Sequence, residues 1–299
     1  MTSLLQYIFS YIEKNNPAHA ARLNVLIDLN DKFFVSKAES FFTRYKSFIE
    51  KKGLTIDYGI DCYLKLCAQM VFERLEFMRS GKYASSSFAD VEKQIYLNPE
   101  MFEYHMHGLV FAQFLWPEQF TRFNFFSNHI GKELKSRSKY LEIGGGHALY
   151  ILEAMNQAPE NVSFQLVDIS PSSMELAKGI MEGLKIDFQL KNIFDFAPEE
   201  KFDFITMGEV IEHVEDPLAL LIKVRELLTP GGTAFITTPA NAPTIDHIYL
   251  FNNADEIREL FIKAGFKIVN EAVQFAENVT EEKARKYKIA LMYAAFVKP

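Results

Sequence analysis

The spacing of apolar residues changes near residue 130 of the 299-residue chain. Before that point apolar positions recur every three or four residues, a period typical of amphipathic helices. Pro17, Pro99 and the pair Trp116-Pro117 interrupt the pattern, and helices are expected to end or begin at such residues. Residues 1–130 are therefore predicted to form an all-α domain.

One long helix is predicted from Asp57 to Arg79. Its apolar positions run from Ile60 to Met78 at helical spacing, so this stripe is predicted to face the core. Asp57 is placed to cap the start of the helix, and Gly81 is placed to end it.

Short apolar runs alternate with helical patterns in the second half of the chain. This alternation favours a parallel sheet with helices on both faces. Two further strands are predicted near the end of the chain, with a helical insert between them because the connection is long for a hairpin. The helices are predicted at 147–157, 171–182, 215–228 and 253–264, and the last two strands at 267–275 and 289–298.

The predicted fold class is thus α/β. A Rossmann-like seven-stranded sheet is expected in residues 131–299, behind the all-α domain of residues 1–130. The helical domain is expected to act as a lid and pocket wall, and it is also a candidate for forming a homodimer.

Composition narrows the classes of partner. The chain is 48% hydrophobic and 24% charged, which is typical of globular proteins. Its net charge of −7 argues against a nucleic-acid partner. The first residues lack the pattern of a signal peptide, and no apolar run is long enough to span a membrane. Cys62 and Cys67 are expected to stay reduced, so a cytoplasmic protein is predicted.

Candidate chemistry centres on residues 140–150, YLEIGGGHALY. An apolar strand runs into three consecutive glycines, Gly144, Gly145 and Gly146, and a helical pattern follows. Because glycine has no Cβ, a ligand can approach the backbone of such a turn closely. Glu142 lies inside the strand, where it suits a cationic ammonium group. A second predicted strand ends at Asp168, whose carboxylate can accept hydrogen bonds from both ribose hydroxyls of a nucleoside.

These residues resemble the first motif of class I S-adenosylmethionine (SAM)-dependent methyltransferases, E/D-x-G-x-G-x-G, with Ala148 in place of the third glycine. Residues 210–217 (VIEHVEDP) and 227–233 (LLTPGGT) resemble later segments of the small-molecule, ubiquinone-methyltransferase type. The matches follow the family order across residues 138–240. The resemblance implies SAM as cofactor, bound by Glu142, Gly144, Gly145, Gly146, Asp168, Ile169, Asn192, Ile193, Gly208 and Glu209.

The resemblance also places acceptor chemistry after the fourth strand, at His213. An imidazole with a pKa near neutrality can remove a proton from the acceptor, although a structural role at the start of a helix stays open. Glu212 either faces the ligand or caps that helix. The loop after the fifth strand carries Asn241, Asp246, His247 and Tyr249, which wall the acceptor site or only tie down the loop.

The aromatic segment from Phe102 to Phe126 is the candidate lid, and the alternative is that it forms the core of the helical domain. Tyr104, His105 and His107 are its candidates for lining a pocket. No metal site is predicted, because His105 and His107 diverge on a helix and do not converge with the other histidines. The catalytic candidates are His213, His247, Tyr249 and Tyr104.

The predicted function is methyl transfer from SAM to O, N or C of a small-molecule acceptor, a reaction suited to secondary metabolism. The alternative is a SAM enzyme that transfers the aminocarboxypropyl arm or cyclises it, releasing methylthioadenosine. A relict SAM fold with a binding role is less compatible with the retained Glu142 and Asp168. A nicotinamide oxidoreductase is less compatible with consecutive glycines, because its fingerprint spaces them as G-x-G-x-x-G.

Overall fold

The computed structural model describes residues 3–96, 98–277 and 279–299. Helices fill the first part of the chain, as predicted. They are α1 (Leu4–Asn15), α2 (Pro17–Leu26), α3 (Lys32–Lys51), α4 (Ile56–Ser80), α5 (Phe88–Val91), α6 (Pro99–Leu115) and α7 (Pro117–Glu133).

Strands and helices alternate after α7, and the α/β fold class is confirmed. The strands are β1 (Lys139–Ile143), β2 (Ser163–Asp168), β3 (Asp187–Leu190), β4 (Phe202–Gly208), β5 (Leu228–Ala240), β6 (Lys267–Phe275) and β7 (Leu291–Lys298). The helices among them are α8 (Leu149–Gln157), α9 (Pro171–Ile180), α10 (Pro217–Leu227), α11 (Ala254–Lys263) and α12 (Glu281–Lys286). The last of these lies in the predicted insert.

The strands form one seven-stranded sheet in the order β3-β2-β1-β4-β5-β7-β6. The first five strands are parallel, and β7 runs antiparallel to both β5 and β6. The chain leaves β1 toward one edge of the sheet and returns to β4 on its other side. This reversal next to β1 creates a crevice at the carboxyl ends of the strands, where open α/β sheets bind ligands.

Local sequence signals explain several helix ends. Asp31 accepts hydrogen bonds from the first N–H groups of α3, and α6 and α7 each begin at a proline, which fits the first helical turn. Gly81 ends α4 with φ of 72°, as predicted. Asp57 does not cap α4, because the helix starts one residue earlier and Thr55 occupies the cap position.

The predicted apolar stripe of α4 is only partly buried. Ile60 and Tyr63 are fully buried, whereas Val71 and Leu75 are 62% and 63% exposed. Helical periodicity identifies the helix, but neighbouring elements decide which face they cover. In the second half of α4 the buried side chains are Glu73 and Phe77, from a different face.

The helices before the sheet share a core with it. Phe126 of α7 packs against Phe235 of β5 and Tyr150 of α8, each with ring centroids 5.0 Å apart. One cluster of buried side chains runs from α1 through α7 to this face of the sheet, and a second cluster fills the opposite face. Division into two domains at residue 130 stays a prediction. Within the described ranges, no helix has the length and apolar character to cross a membrane.

Candidate functional site

A cavity of about 470 Å³ opens at the carboxyl ends of β1, β2 and β4. The glycine loop after β1 forms one wall of it. Helix α6 and the loop after β5 form the opposite wall. The cavity therefore lies at the strand-order reversal, where the sequence predicts the cofactor.

The glycine loop needs glycine for steric reasons. Gly144 and Gly146 have φ of 67° and 47°, in the left-handed region. A Cβ on Gly144 would lie 2.5 Å from Val210, and one on Gly145 would lie 2.3 Å from Leu166. Ala148, which replaces the family's third glycine, also has a positive φ of 58°. The loop is thus held in a tight conformation that leaves its backbone facing the cavity.

Two buried carboxylates adjoin this loop. Asp168 accepts hydrogen bonds from the N–H groups of Gly146 (3.3 Å) and Ser170 (2.8 Å), and burial raises its pKa to about 6. Glu142 accepts one from the Thr206 hydroxyl at 3.3 Å, and burial raises its pKa to about 8. Both carboxylates line the cavity. A ligand that carries a cation and hydroxyl groups would supply the partners they lack.

Apolar side chains line the cavity beside Asp168 and Asn192. Ile169 and Phe194 line it while remaining 43% and 47% exposed, so a planar base has apolar faces to cover. Asn192 accepts a hydrogen bond from the Phe194 N–H at 3.0 Å, which fixes the turn. These features fit SAM, which combines an ammonium, a ribose and an adenine. The predicted cofactor residues that line the cavity are Glu142, Gly144, Gly145, Gly146, Asp168, Ile169, Asn192, Ile193, Gly208 and Glu209.

His213, His247 and Asp246 also line the cavity, and the buried Glu212 lies beside the two histidines. Oε1 of Glu212 lies 3.8 Å from Nε2 of His247 and 4.0 Å from Nε2 of His213. Nδ1 of His213 donates to the carbonyl oxygen of Asp246 (2.9 Å), and Nδ1 of His247 donates to that of Ala242 (2.7 Å). The Nε2 atom of each ring therefore faces Glu212 and carries a lone pair when the ring is neutral.

Burial sets the protonation of this cluster. It lowers the pKa of His247 to about 4, which keeps this ring neutral. Burial alone would raise the pKa of Asp246, but His105 and His213 beside it hold that pKa well below the usual range. The Asp246 carboxylate lies 3.4 Å from Nε2 of His105 and 3.6 Å from Nδ1 of His213. His105, Asp246, His213 and His247 all line the cavity.

The two tyrosines predicted to be catalytic do not line the cavity. Tyr104 is buried on α6, with the Lys65 ammonium 4.0 Å from its ring centroid. Tyr249 packs on Phe251, with ring centroids 4.7 Å apart. Both residues belong to segments that contribute other side chains to the cavity, but their own rings pack elsewhere.

Three further candidates find structural partners. Nδ1 of His107 is hydrogen-bonded to the Tyr45 hydroxyl at 2.8 Å, and the side-chain amide of Asn241 donates to a backbone carbonyl. Glu212 does not cap α10, because Asp216 accepts the hydrogen bond from the third residue of that helix. Glu212 instead accepts from the Thr238 hydroxyl at 2.9 Å and is fully buried.

Sequence analysis missed a set of side chains at the corner between α6 and α7. Gln113, Trp116 and Gln119 line the cavity there. Arg122, one turn further on, donates a hydrogen bond of 2.6 Å to Glu209 and is only 2% exposed. Polar residues inside an otherwise aromatic run were the available signal, because a buried polar side chain needs a partner.

Comparisons with known proteins agree with this geometry. A family model for a methyltransferase domain matches residues 116–271, slightly more than half of the chain. The chain is 32% identical over 110 residues to the ubiquinone biosynthesis O-methyltransferase of Xanthomonas campestris pv. campestris strain B100. It is 36% identical over 108 residues to the enzyme of that name from Actinobacillus pleuropneumoniae serotype 7. These matches cover 36% and 33% of this chain, and only 45% of each relative.

A likeness to a solved structure supports the fold. The mitomycin 7-O-methyltransferase MmcR superposes with a TM-score of 0.52 over 77% of this chain and 67% of that one, at 11% sequence identity. At this identity the likeness concerns the fold alone. The assignment to a family comes from the family model. Its match covers the glycine loop, the two carboxylates and the first five strands of the sheet. The chain belongs to the class I SAM-dependent methyltransferases.

Proposed function

We propose that this protein transfers the methyl group of SAM to an oxygen of a small-molecule acceptor. The observation that carries the proposal is that one cavity joins the glycine loop to the histidine cluster. The first part has the groups that suit SAM. The second part has imidazole nitrogens, which accept a hydrogen bond from an acceptor hydroxyl when the rings are neutral.

The residues have distinct parts in this proposal. Glu142 pairs with the ammonium group of the cofactor, and Asp168 accepts hydrogen bonds from its ribose. SAM supplies an activated methyl group, so the protein mainly aligns the acceptor and excludes water. Helix α6 and the α6–α7 corner cover the cavity from the side opposite the sheet. His213 and His247 orient the acceptor hydroxyl toward the methyl group.

Several observations support a small acceptor. A cavity of about 470 Å³ is in the range of small-molecule sites. The named relatives are O-methyltransferases of ubiquinone biosynthesis, so hydroxylated aromatic compounds are the first acceptors to screen. A setting in secondary metabolism belongs to the same proposal. A cytoplasmic location and a homodimer stay predictions.

A product analysis tests the proposal against its alternative. Purified protein is incubated with SAM alone and then with a panel of phenols and catechols, and the nucleosides are identified by mass spectrometry. We expect SAM to remain intact without an acceptor, and S-adenosylhomocysteine to form with one. Methylthioadenosine formed above the spontaneous rate would show that the aminocarboxypropyl arm is cleaved, and would overturn the proposal.

A further inference from the structure

Three potential metal-binding atoms converge at the acceptor end of the cavity. Oε1 of Glu212 and one ring nitrogen each of His213 and His247 all lie within 4.8 Å of one another. The two rings are almost perpendicular, with an interplanar angle of 86° and centroids 4.8 Å apart. The rings therefore meet edge to face and do not stack on each other.

The hydrogen bonds around the cluster fix the direction of each lone pair. Nδ1 of His213 and Nδ1 of His247 donate to the backbone carbonyls of Asp246 and Ala242, so in the neutral rings both Nε2 atoms face the cluster with a lone pair. Oxygen Oε2 of Glu212 is satisfied by the Thr238 hydroxyl. An outer-shell carbonyl on the distal nitrogen of each ring is the usual environment of a metal-binding histidine.

An orphaned atom gives independent support. Glu212 is 0% exposed, and among the described residues its Oε1 has no hydrogen-bond partner. A buried carboxylate oxygen without a donor is costly, and here the nearest groups are two further lone pairs. A proton or a metal ion between these three atoms would relieve the repulsion between their lone pairs.

We infer that Glu212, His213 and His247 form a binding site for a divalent transition-metal ion. In a tetrahedral site with bonds near 2.1 Å, ligand atoms lie about 3.4 Å apart. The separations of 3.8 and 4.0 Å between Glu212 and the two histidines are a few tenths of an ångström wider, and all three atoms lie within 4.8 Å of one another, so side-chain rotations have to close the site around an ion. Two imidazoles and one carboxylate favour Zn²⁺ or a neighbouring ion such as Co²⁺ over Ca²⁺ and Mg²⁺, which prefer oxygen ligands.

Three protein ligands leave a coordination position open, as in catalytic metal sites. His213 and His247 line the cavity, so this position faces the space proposed for the acceptor. A cation there lowers the pKa of a coordinated hydroxyl. The hydroxyl proton leaves to solvent, the oxygen lone pair forms the bond to the methyl carbon, and the carbon–sulfur bond of SAM breaks to give S-adenosylhomocysteine. This role rests on the proposed function, and with the ion bound it replaces direct hydrogen bonds from the acceptor to His213 and His247. Binding of the ion does not rest on the proposed function.

Binding of Co²⁺ to the full chain, stripped of metal by a chelator, tests the site. We expect one equivalent to bind, with the strong visible absorption of a four- or five-coordinate ion, and Zn²⁺ to displace it. Glu212→Gln and His247→Gln should each weaken binding by more than about tenfold. The amide introduced by Glu212→Gln can still donate to a ring nitrogen and accept from the Thr238 hydroxyl, so this variant is expected to fold.

His129→Gln is the matched control. Nδ1 of His129 also bonds a backbone carbonyl, that of Phe125, but His129 lies on α7, away from the cluster. This variant should bind Co²⁺ like the wild type. The inference is overturned if the wild type binds no Co²⁺ beyond weak six-coordinate association, or if His247→Gln binds as tightly as His129→Gln. SAM turnover is measured separately. If S-adenosylhomocysteine forms but no metal binds, only the metal site is refuted. If metal binds but methylthioadenosine is released, only the proposed function is refuted.

Discussion

Arg122 on α7 donates a hydrogen bond of 2.6 Å to Glu209, the residue that follows β4 and lines the cavity. Glu209 has φ of 54°, an uncommon conformation for a residue with a side chain. Its Oε1 also accepts a hydrogen bond from the Thr237 hydroxyl at 2.8 Å. The ion pair thus joins a helix before the sheet to a strained loop in the site, and such strain persists only when surrounding contacts hold it.

We predict that Arg122→Gln destabilises the fold by about 3 kcal/mol, because it leaves the Glu209 carboxylate without its cation. The figure is at the low end for buried pairs, since the Glu209 side chain is 29% exposed. Denaturant unfolding measures it. Arg79→Gln is the control, because Arg79 pairs with Glu76 in an exposed position and should cost less than about 0.5 kcal/mol. Equal losses in the two variants would contradict a structural role for the buried pair.

Gly145 tests the steric argument for the glycine loop. We predict that Gly145→Ala destabilises the protein by about 1–3 kcal/mol and weakens SAM binding, because the new Cβ would meet Leu166. Gly231→Ala is the matched control, since nothing lies within 4 Å of a Cβ at Gly231. Thermal unfolding and calorimetric titration with SAM measure both effects. A Gly145→Ala protein as stable as Gly231→Ala would show that the loop has room.

The cofactor-binding residues could be predicted from the sequence because they lie in short, recognisable segments. The glycines, Glu142 and Asp168 lie at strand ends, and parallel strands bring their carboxyl ends to one edge of the sheet. Strand β5 begins at Leu228, inside the segment LLTPGGT, and Leu228 is in register with Phe202 of β4. A turn motif in the sequence does not reveal that its backbone continues a strand.

The acceptor side depends on contacts that sequence spacing does not encode. His213 lies in a short helical turn after β4 and His247 in the loop after β5, and they meet where the backbone N–H groups of Ile248 and Tyr249 donate to the carbonyl of Glu212. Tyr104 lies on a helix, as predicted, but packing sets the rotation of that helix about its axis and so decides which side chains line the cavity. Side-chain direction around a helix is a tertiary property, and sequence periodicity constrains it weakly when nearly every face is apolar.

Asp168 is predicted to bind the cofactor ribose. Asp168→Ala should weaken SAM binding by about 1–3 kcal/mol through lost hydrogen bonds. The variant also removes the acceptor for the Gly146 and Ser170 N–H groups, so its melting temperature must be measured alongside. Asp187→Ala, at the start of β3, is the control and should bind SAM normally. Unchanged affinity in a folded Asp168→Ala protein would refute the ribose assignment.

The shared core predicts that the first 130 residues cannot be removed without loss of the fold. Such a truncation deletes Phe123 and Phe126, both fully buried, and Arg122. Losing a buried phenylalanine costs about 3–5 kcal/mol, which is comparable with the whole stability of a domain. We expect the fragment 131–299 to be aggregated or unfolded by circular dichroism. A folded, SAM-binding fragment would instead establish an independent domain.

Glu142 is predicted to lose a proton when SAM binds. Burial raises its pKa to about 8, so most molecules of the free protein hold a proton there at pH 7. In the unfolded chain the carboxyl ionises near its ordinary pKa of 4.5, so this group makes the free protein less stable as pH rises from about 4.5 to about 8. Pairing with the ammonium of SAM favours the ionised form and lowers the pKa.

Binding of SAM at pH 7 should therefore release nearly one proton from Glu142. Calorimetric titrations in buffers with different ionisation enthalpies measure this release directly. Glu142→Gln should abolish most of it and weaken binding, because the amide is neutral at every pH. Release of the same number of protons by wild type and Glu142→Gln would show that another group ionises, and that Glu142 does not receive the ammonium.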